Sequence, residues 1–284
     1  IINIEDFAFN SFFRSTDLSI GPHSAFGNEN PGSVYVVYAP ERNIRVRITL
    51  ASGAGESRGG FLGGQGGVSI FNYTFEQNVE YVFKMGSGGV TGGNRGGANN
   101  IFGGGVAQLY RKAKLVAACG GGGAAGTAGR GGFGGGVNIA GQPGSGRGAG
   151  NGGISIPAGT FLNGAFSSGT TGGIVSSCMR GDDLARITGI PVCDDYPGLS
   201  QIRSANGAVV SNSAFLFRGH KPSRPQGFRT NGGNGSGNQG GGGSGAYGGN
   251  AAVSDGSGGG GGSGYSDGSI SLISSTVGGN TSVV

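Results

Sequence analysis

Chemistry in this chain would have to start from His23 and His220, its only histidines. A catalytic triad or a histidine-based metal centre needs imidazole to converge with carboxylates. Both histidines stand beside prolines or glycines in segments that read as loops, so neither is assigned a catalytic role. Asp182–Asp183 and Asp194–Asp195 lie within and just beyond the stretch between Cys178 and Cys193. Paired carboxylates of this kind could ligate Ca²⁺, but the preferred reading is solvated turn acids. Arg180, Gly181 and Asp182 spell an integrin tripeptide, which a glycine-rich chain produces by coincidence. Matches to G-x-G-x-x-G abound for the same compositional reason. None follows a strand and opens a helix, and there is no G-K-S/T loop, which argues against a phosphate or dinucleotide site. The expectation is a non-enzymatic protein with no cofactor and no resident metal.

The three cysteines cannot all pair within one chain. Cys178 and Cys193 close a short loop and are expected to form a disulfide, whereas Cys119 ends an apolar strand as a buried small hydrophobe. The spacings fit no zinc pattern. A disulfide implies an oxidising, extracellular setting. Sequons at Asn72, Asn234 and Asn280 point the same way, although such triplets arise freely in this composition. Nineteen Lys and Arg against fourteen Asp and Glu leave a net charge of +5. The cations are scattered singly except in NIRVR near Arg45 and YRKAK near Lys112, where they alternate with apolar residues as on exposed strand faces. Nucleic-acid binding needs a basic patch backed by a module, and none is expected here. No apolar run approaches the ~18 residues of a membrane span, so membrane insertion is not expected either. The sequence opens at Ile1 rather than Met and reads as a processed product or a fragment.

The elements that would position anything are glycine and strand. Of the 284 residues, 71 are glycine. In the tract 120–153, Gly120, Gly123, Gly126, Gly129, Gly132 and Gly135 share one three-residue phase, which resumes at Gly141, Gly144, Gly150 and Gly153. Three residues per turn is the repeat of the polyproline-II helix, and glycine along one edge lets a neighbouring backbone approach. Reversals such as GQPG and GSG predict several short antiparallel helices, each bonding its N–H groups to carbonyls of its neighbours. The tract 232–264 repeats the phase at 237, 240, 243 and 249, then at 258, 261 and 264. A flexible linker is the competing interpretation, since ordering glycine is entropically expensive. A linker, however, has no use for a phase.

Strand signals surround the tracts. SVYVVYA, NIRVRITLAS, GGVSIFNYTF and VEYVFKMG run from Ser33 to Met85 between turn residues, and Ile44, Val46, Ile48 and Leu50 alternate with polar residues. A strand pair is expected in NNIFGGGVAQLYR and KAKLVAACG, a further strand in AVVSNSAFLFRGH, and a last one in SDGSISLISS. The fold class predicted is all-β: a jelly-roll-like β-sandwich with a packed layer of polyglycine-II helices. Residues 1–30 are expected to form an N-terminal strand or arm, and residues 31–284 the sandwich with its glycine layer. The arm, with Ile2, Ile4, Phe7, Phe9 and Phe12 in rough alternation, has no adjacent hairpin partner. It is either an ordinary edge strand of its own sheet or a strand donated to a neighbouring copy.

The order RVRITLASGAG, GGVSIFNYTFEQNVEYVFKMGSGG, GGGVAQLYRKAKLVAACGGGGAAG, RGGFGGG and GGGGGSGYSDGSISLIS resembles the glycine-rich domain of anaplastic lymphoma kinase and leukocyte tyrosine kinase receptors. The motifs fall at Leu115 to Gly123, Gly131 to Gly136 and Asp267 to Ile273, within about residues 43–275. More loosely, the chain resembles glycine-rich adhesins of phage tail fibres. The resemblance implies the sandwich and the glycine-helix lattice. No kinase or epidermal-growth-factor-like module follows, so it does not imply a receptor role.

The function expected is a structural subunit of an extracellular filament or virion fibre, at the cell exterior or virion surface. Its partners would be copies of itself, joined through β-strand contacts. The alternative is a receptor-binding adhesin at a fibre tip or cell surface, taking a glycan or protein through Phe161 to Phe166, the cysteine loop or His220 to Phe228. A third is a ligand-binding module of the receptor-ectodomain type.

Overall fold

A computed structural model describes residues 2–6, 34–38, 43–77, 79–84, 95–96, 101–112, 114–162, 168–175, 177 and 232–278. Among them the regular structure is entirely β. The strands are β1 (Ile2–Asp6), β2 (Val34–Tyr38), β3 (Ile44–Ala51), β4 (Val68–Phe75), β5 (Glu80–Lys84), β6 (Arg95–Gly96), β7 (Ile101–Phe102), β8 (Ala107–Arg111), β9 (Lys114–Cys119), β10 (Tyr265–Ser266) and β11 (Ser271–Thr276). All pairings are antiparallel. One sheet runs β1-β3-β4-β11, a second β10-β9-β8-β5-β2, and β6 and β7 form a two-stranded ribbon.

The alternating pattern of β3 and β4 accounts for the first sheet. Val46, Ile48 and Leu50 are buried with Phe71, Tyr73 and Phe75, whereas Arg45 and Thr74 face water. These side chains share one core with Tyr81, Phe83, Leu109, Ala117 and Cys119 of the second sheet. Its densest part is aromatic. Phe75 stacks on Tyr81 at 4.2 Å, and Tyr73 meets both edge-on at 6.1 and 5.9 Å. The second sheet is also covered on its other face, where Tyr110, Leu115, Ala118 and Tyr265 pack with Ile156, Leu162 and Ala246. Burial on both faces explains why KLVAAC reads as a continuous apolar run rather than an alternating one.

β1 pairs with β3 of the same chain, Ile2 opposite Leu50 and Asp6 opposite Val46. The arm therefore completes an edge of the first sheet, and β2 instead edges the second sheet against β5. Phe7, Phe9 and Phe12 lie outside the described residues, as does the strand expected in AVVSNSAFLFRGH.

Beyond the sheets the hydrogen-bond rhythm changes. Past Ala51 and Val68 the β3–β4 hairpin continues with Ser52 N–H to Gly67 O, Gly55 N–H to Gly64 O and Arg58 N–H to Phe61 O, a bond every third residue. The glycine-rich stretch ESRGGFLGGQGG, whose composition is that of a turn, forms two paired arms and a tight reversal. Without side chains to hold a pleat, glycine-rich backbone is free to take a different extended repeat. The segment after β9 behaves alike. Gly120, Gly123 and Gly126 donate to Gly135, Gly132 and Gly129 across a reversal at 127–128. Gly141 and Gly144 donate to Gly153 and Gly150 in the next hairpin. The residues of the sequence phase are thus the ones that face one another across these arms.

Two arms lie inside the array. Segment 120–126 donates in rotation to Gly135, Ser244 and Gly53, then to Gly132, Gly241 and Glu56. It accepts in rotation from Gly67, Gly262 and Gly104. Those donors and acceptors belong to six different segments. Segment 258–264 is similarly placed, donating to Ser145, Ala124 and Asn250 in turn and accepting from Gly150, Gly132 and Gly243. Gly237 departs from its expected place in the phase. Its φ of 61° puts it in a reversal, outside the repeating pairs.

Candidate functional site

Cβ-free positions are what the array requires. A methyl group at Gly120, Gly123 or Gly126 would overlap the carbonyls of Gly262, Gly259 or Gly256. At Gly129, Gly132 and Gly135 it would overlap Ser145, Gln142 and Ile139. The same holds off the phase, where Gly122 faces Gly64 and Gly121 faces Gly104. Obstruction by main chain leaves little room for relief, because main chain cannot rotate away as a side-chain tip can. Small residues such as Ala124, Ala125, Ala251, Ala252, Ser244, Ser257 and Ser263 are buried among the glycines. The serine hydroxyls are used: Ser52 Oγ donates to Gly67 O at 3.0 Å, and Ser257 Oγ to Arg147 O at 2.6 Å.

Array and sheets are stitched by a buried hydroxyl pair. Ser69 Oγ of β4 lies 2.8 Å from Ser275 Oγ of β11. Val137 N–H donates to Ser69 Oγ at 2.7 Å, and Ser275 Oγ donates to Val137 O at 3.0 Å. Nearby, Asn138 holds a positive φ of 60° and accepts from Ser266 N–H at 2.9 Å, fixing the reversal between two arms against β10. Cys119 is a free thiol, fully buried at the joint of β9 and the first glycine arm. Burial pushes it up to about 11, so it is neither a thiolate nor a nucleophile at neutral pH. Burial likewise raises the Tyr73 and Tyr81 phenols. At the sheet margin, Arg111 grips Glu76 with two hydrogen bonds of 3.0 and 2.7 Å, which hold that carboxyl below its usual range.

The remaining surface of interest is the end of the array away from the sheets. Arms leave Ala51, Cys119 and Val137 and return at Val68, Val137 and Ile156, so their reversals fall together. The reversals are 57–60, 127–129, 146–148, 236–239 and 253–256, and they touch one another. Ala128 N–H donates to Gly256 O, and Asn238 N–H donates to Asp255 Oδ1 at 3.2 Å. Leu62 and Val253 are each 64% exposed on this end, with Arg130 and Arg147 beside them also exposed.

Most site residues singled out from sequence fall elsewhere. His23, His220, Cys178, Cys193, Asp182, Asp183, Asp194 and Asp195 lie outside the described residues. Among the described residues no group of histidine, cysteine and carboxylate could hold a metal, and no helix is long and apolar enough to cross a membrane. Asn72 sits mid-strand in β4 between Arg47 and Ser271 with its Oδ1 buried, a poor acceptor for a glycan in the folded chain. Asn234 is exposed. The clustered reversals were missed from sequence because their proximity depends on arms that interleave from distant parts of the chain. Comparison with family models, curated proteins and solved structures found no match.

Proposed function

We propose that the chain is a non-enzymatic structural subunit of an extracellular filament or virion fibre, built as a jelly-roll-like sandwich that carries a lattice of polyglycine-II helices. The observation that carries this reading is the three-residue hydrogen-bond rhythm of segments 120–126 and 258–264, each surrounded by other glycine-rich arms. Three residues per turn is the polyproline-II repeat. A helix that donates and accepts in three directions each is a close-packed rod, suited to stiffness rather than to turnover. Assembly proceeds through β-strand contacts. β1 occupies an edge beside β3, and the 27 residues from 7 to 33 that separate it from β2 could span at most about 90 Å. That reach allows the same edge to be filled by a neighbour's arm, and such head-to-tail contacts polymerise when they do not close. Negative-stain images of the purified protein should show filaments or fibres that disappear on deletion of residues 1–13. Monodisperse single copies at high concentration would overturn the reading.

The gathered reversals favour a second reading, a receptor-binding adhesin in which the lattice holds these turns at a fibre tip. Alanine substitution of Arg58, Val253 and Ser254, with the positive-φ glycines of both turns kept, should then abolish cell attachment without altering the melting temperature.

A further inference from the structure

The geometry points to an anion-binding site at the Arg58 reversal, one that takes the acidic groups of a polysaccharide. Arg58 Nη1 is buried without a hydrogen-bond partner. A shielded guanidinium nitrogen with no acceptor is rare in a folded protein and asks for an ion, a water or a ligand. The Arg58 N–H and C=O pair with Phe61 across the turn. The nearby acid is directed elsewhere, its Glu56 Oε2 accepting Phe102 N–H at 3.0 Å, and no ion pair joins it to Arg58.

More positive charge stands close by. The Arg58 reversal abuts Thr127, whose carbonyl oxygen would lie 3.2 Å from a Cβ at Gly59, and Arg130 follows three residues on. Arg130 N–H donates to Ser145 Oγ at 2.7 Å, which brings the Arg147 reversal alongside. Among the described residues none of Arg58, Arg130 and Arg147 takes part in an ion pair. Asp255, also on this end, is engaged by Asn238 through both oxygens at 3.2 and 3.4 Å.

The surroundings select the class of ligand. Protein partners are held chiefly by buried aromatic and arginine anchors in apolar pockets. Here the turns offer hydroxyls of Ser57, Thr127 and Ser145, glycine main chain and guanidinium groups, with the apolar Leu62 and Val253 exposed beside them. That is a surface for hydrogen-bonding, negatively charged sugar chains. Guanidinium binds carboxylate and sulfate in the same forked geometry, so both kinds of acid fit. The inference deepens the adhesin reading and is independent of filament formation, which electron microscopy scores separately.

The test uses the intact chain on surfaces of dextran sulfate, polygalacturonate and neutral dextran. Binding to one or both polyanions and not to neutral dextran is expected, and the surface preferred identifies the acid. Arg58→Gln should weaken it at least about tenfold and Arg130→Gln by less, while Arg45→Gln on the wet face of β3 should leave it within about twofold. Soluble polyanion should raise the melting temperature of the parent and not of Arg58→Gln. Equal losses for Arg58→Gln and Arg45→Gln would reduce the effect to net charge and overturn the proposal, as would equal binding to neutral dextran or binding to none of the three.

Discussion

At the scale of single residues, a glycine in this protein is needed for one of two separable reasons. Gly123 sits where any side chain meets the Gly259 carbonyl. Gly60 has open space around it but a φ of 82°. Gly123→Ala should therefore destabilise at the upper end of the about 1–3 kcal/mol of overpacking, and Gly126→Val by more. Gly60→Asn should cost under about 1 kcal/mol, since asparagine tolerates the left-handed region. Urea midpoints of the three variants check this, and similar losses for Gly60→Asn and Gly123→Ala would contradict it. The phase of the 120–153 tract was readable because six glycines keep a strict interval in one arm pair. Gly55, Gly63, Gly64, Gly66 and Gly67 are equally confined, yet Phe61, Leu62 and Gln65 break their interval, and the chain that confines them lies as far away as Gly135. Local spacing carries no trace of a neighbour that distant.

Among elements, the strands were legible where one face is buried. The alternation through Val46, Ile48 and Leu50 settles which face of β3 turns inward, and the turn at Lys112 joins β8 to β9 much as the residue pattern suggests. The partner of β1 was not legible, because β3 is nearly forty residues away and any edge with free N–H groups would satisfy an apolar arm. Side-chain ties between elements were not legible either. Glu76, in the β4–β5 connection, anchors Arg111 of β8, and the guanidinium holds its carboxyl below the usual carboxylate range. A depressed carboxylate contributes stability that is present above the unfolded pKa and is lost as pH falls through the folded one. Stability should thus decline below about pH 4.5 through loss of this pair. Glu76 is 46% exposed, so solvent screening keeps the contribution below about 1 kcal/mol. Urea unfolding from about pH 6 down to about pH 3 should show a shallower acid limb for Glu76→Gln than for the parent. Molar salt should shrink the difference.

For the whole molecule, sheets and glycine array are joined by continuous hydrogen bonding and should unfold together. The β3–β4 hairpin runs unbroken from pleated pairing into three-residue pairing, and Ser69, Ser275 and Val137 tie the two parts at the seam. Cys119 reports on that seam. At about pH 8 its thiol should resist alkylation in the native protein, as followed by mass spectrometry of its peptide, and react at the rate of global unfolding. Rapid labelling with the fold intact would show that the seam opens by itself. The three-residue rhythm also has a bearing on how such a chain can change in length. One residue added within an arm shifts every later bond off its partner on several sides at once. Three added to one arm restore the register, but leave about 9 Å of backbone with no neighbours to meet it. The arms can therefore lengthen only in triplets and only in concert. The reversals are bound by no such arithmetic, and an insertion there leaves the register of the arms behind it intact. A lineage of these proteins would keep its arms at matched lengths, so variation in length would collect at the reversals.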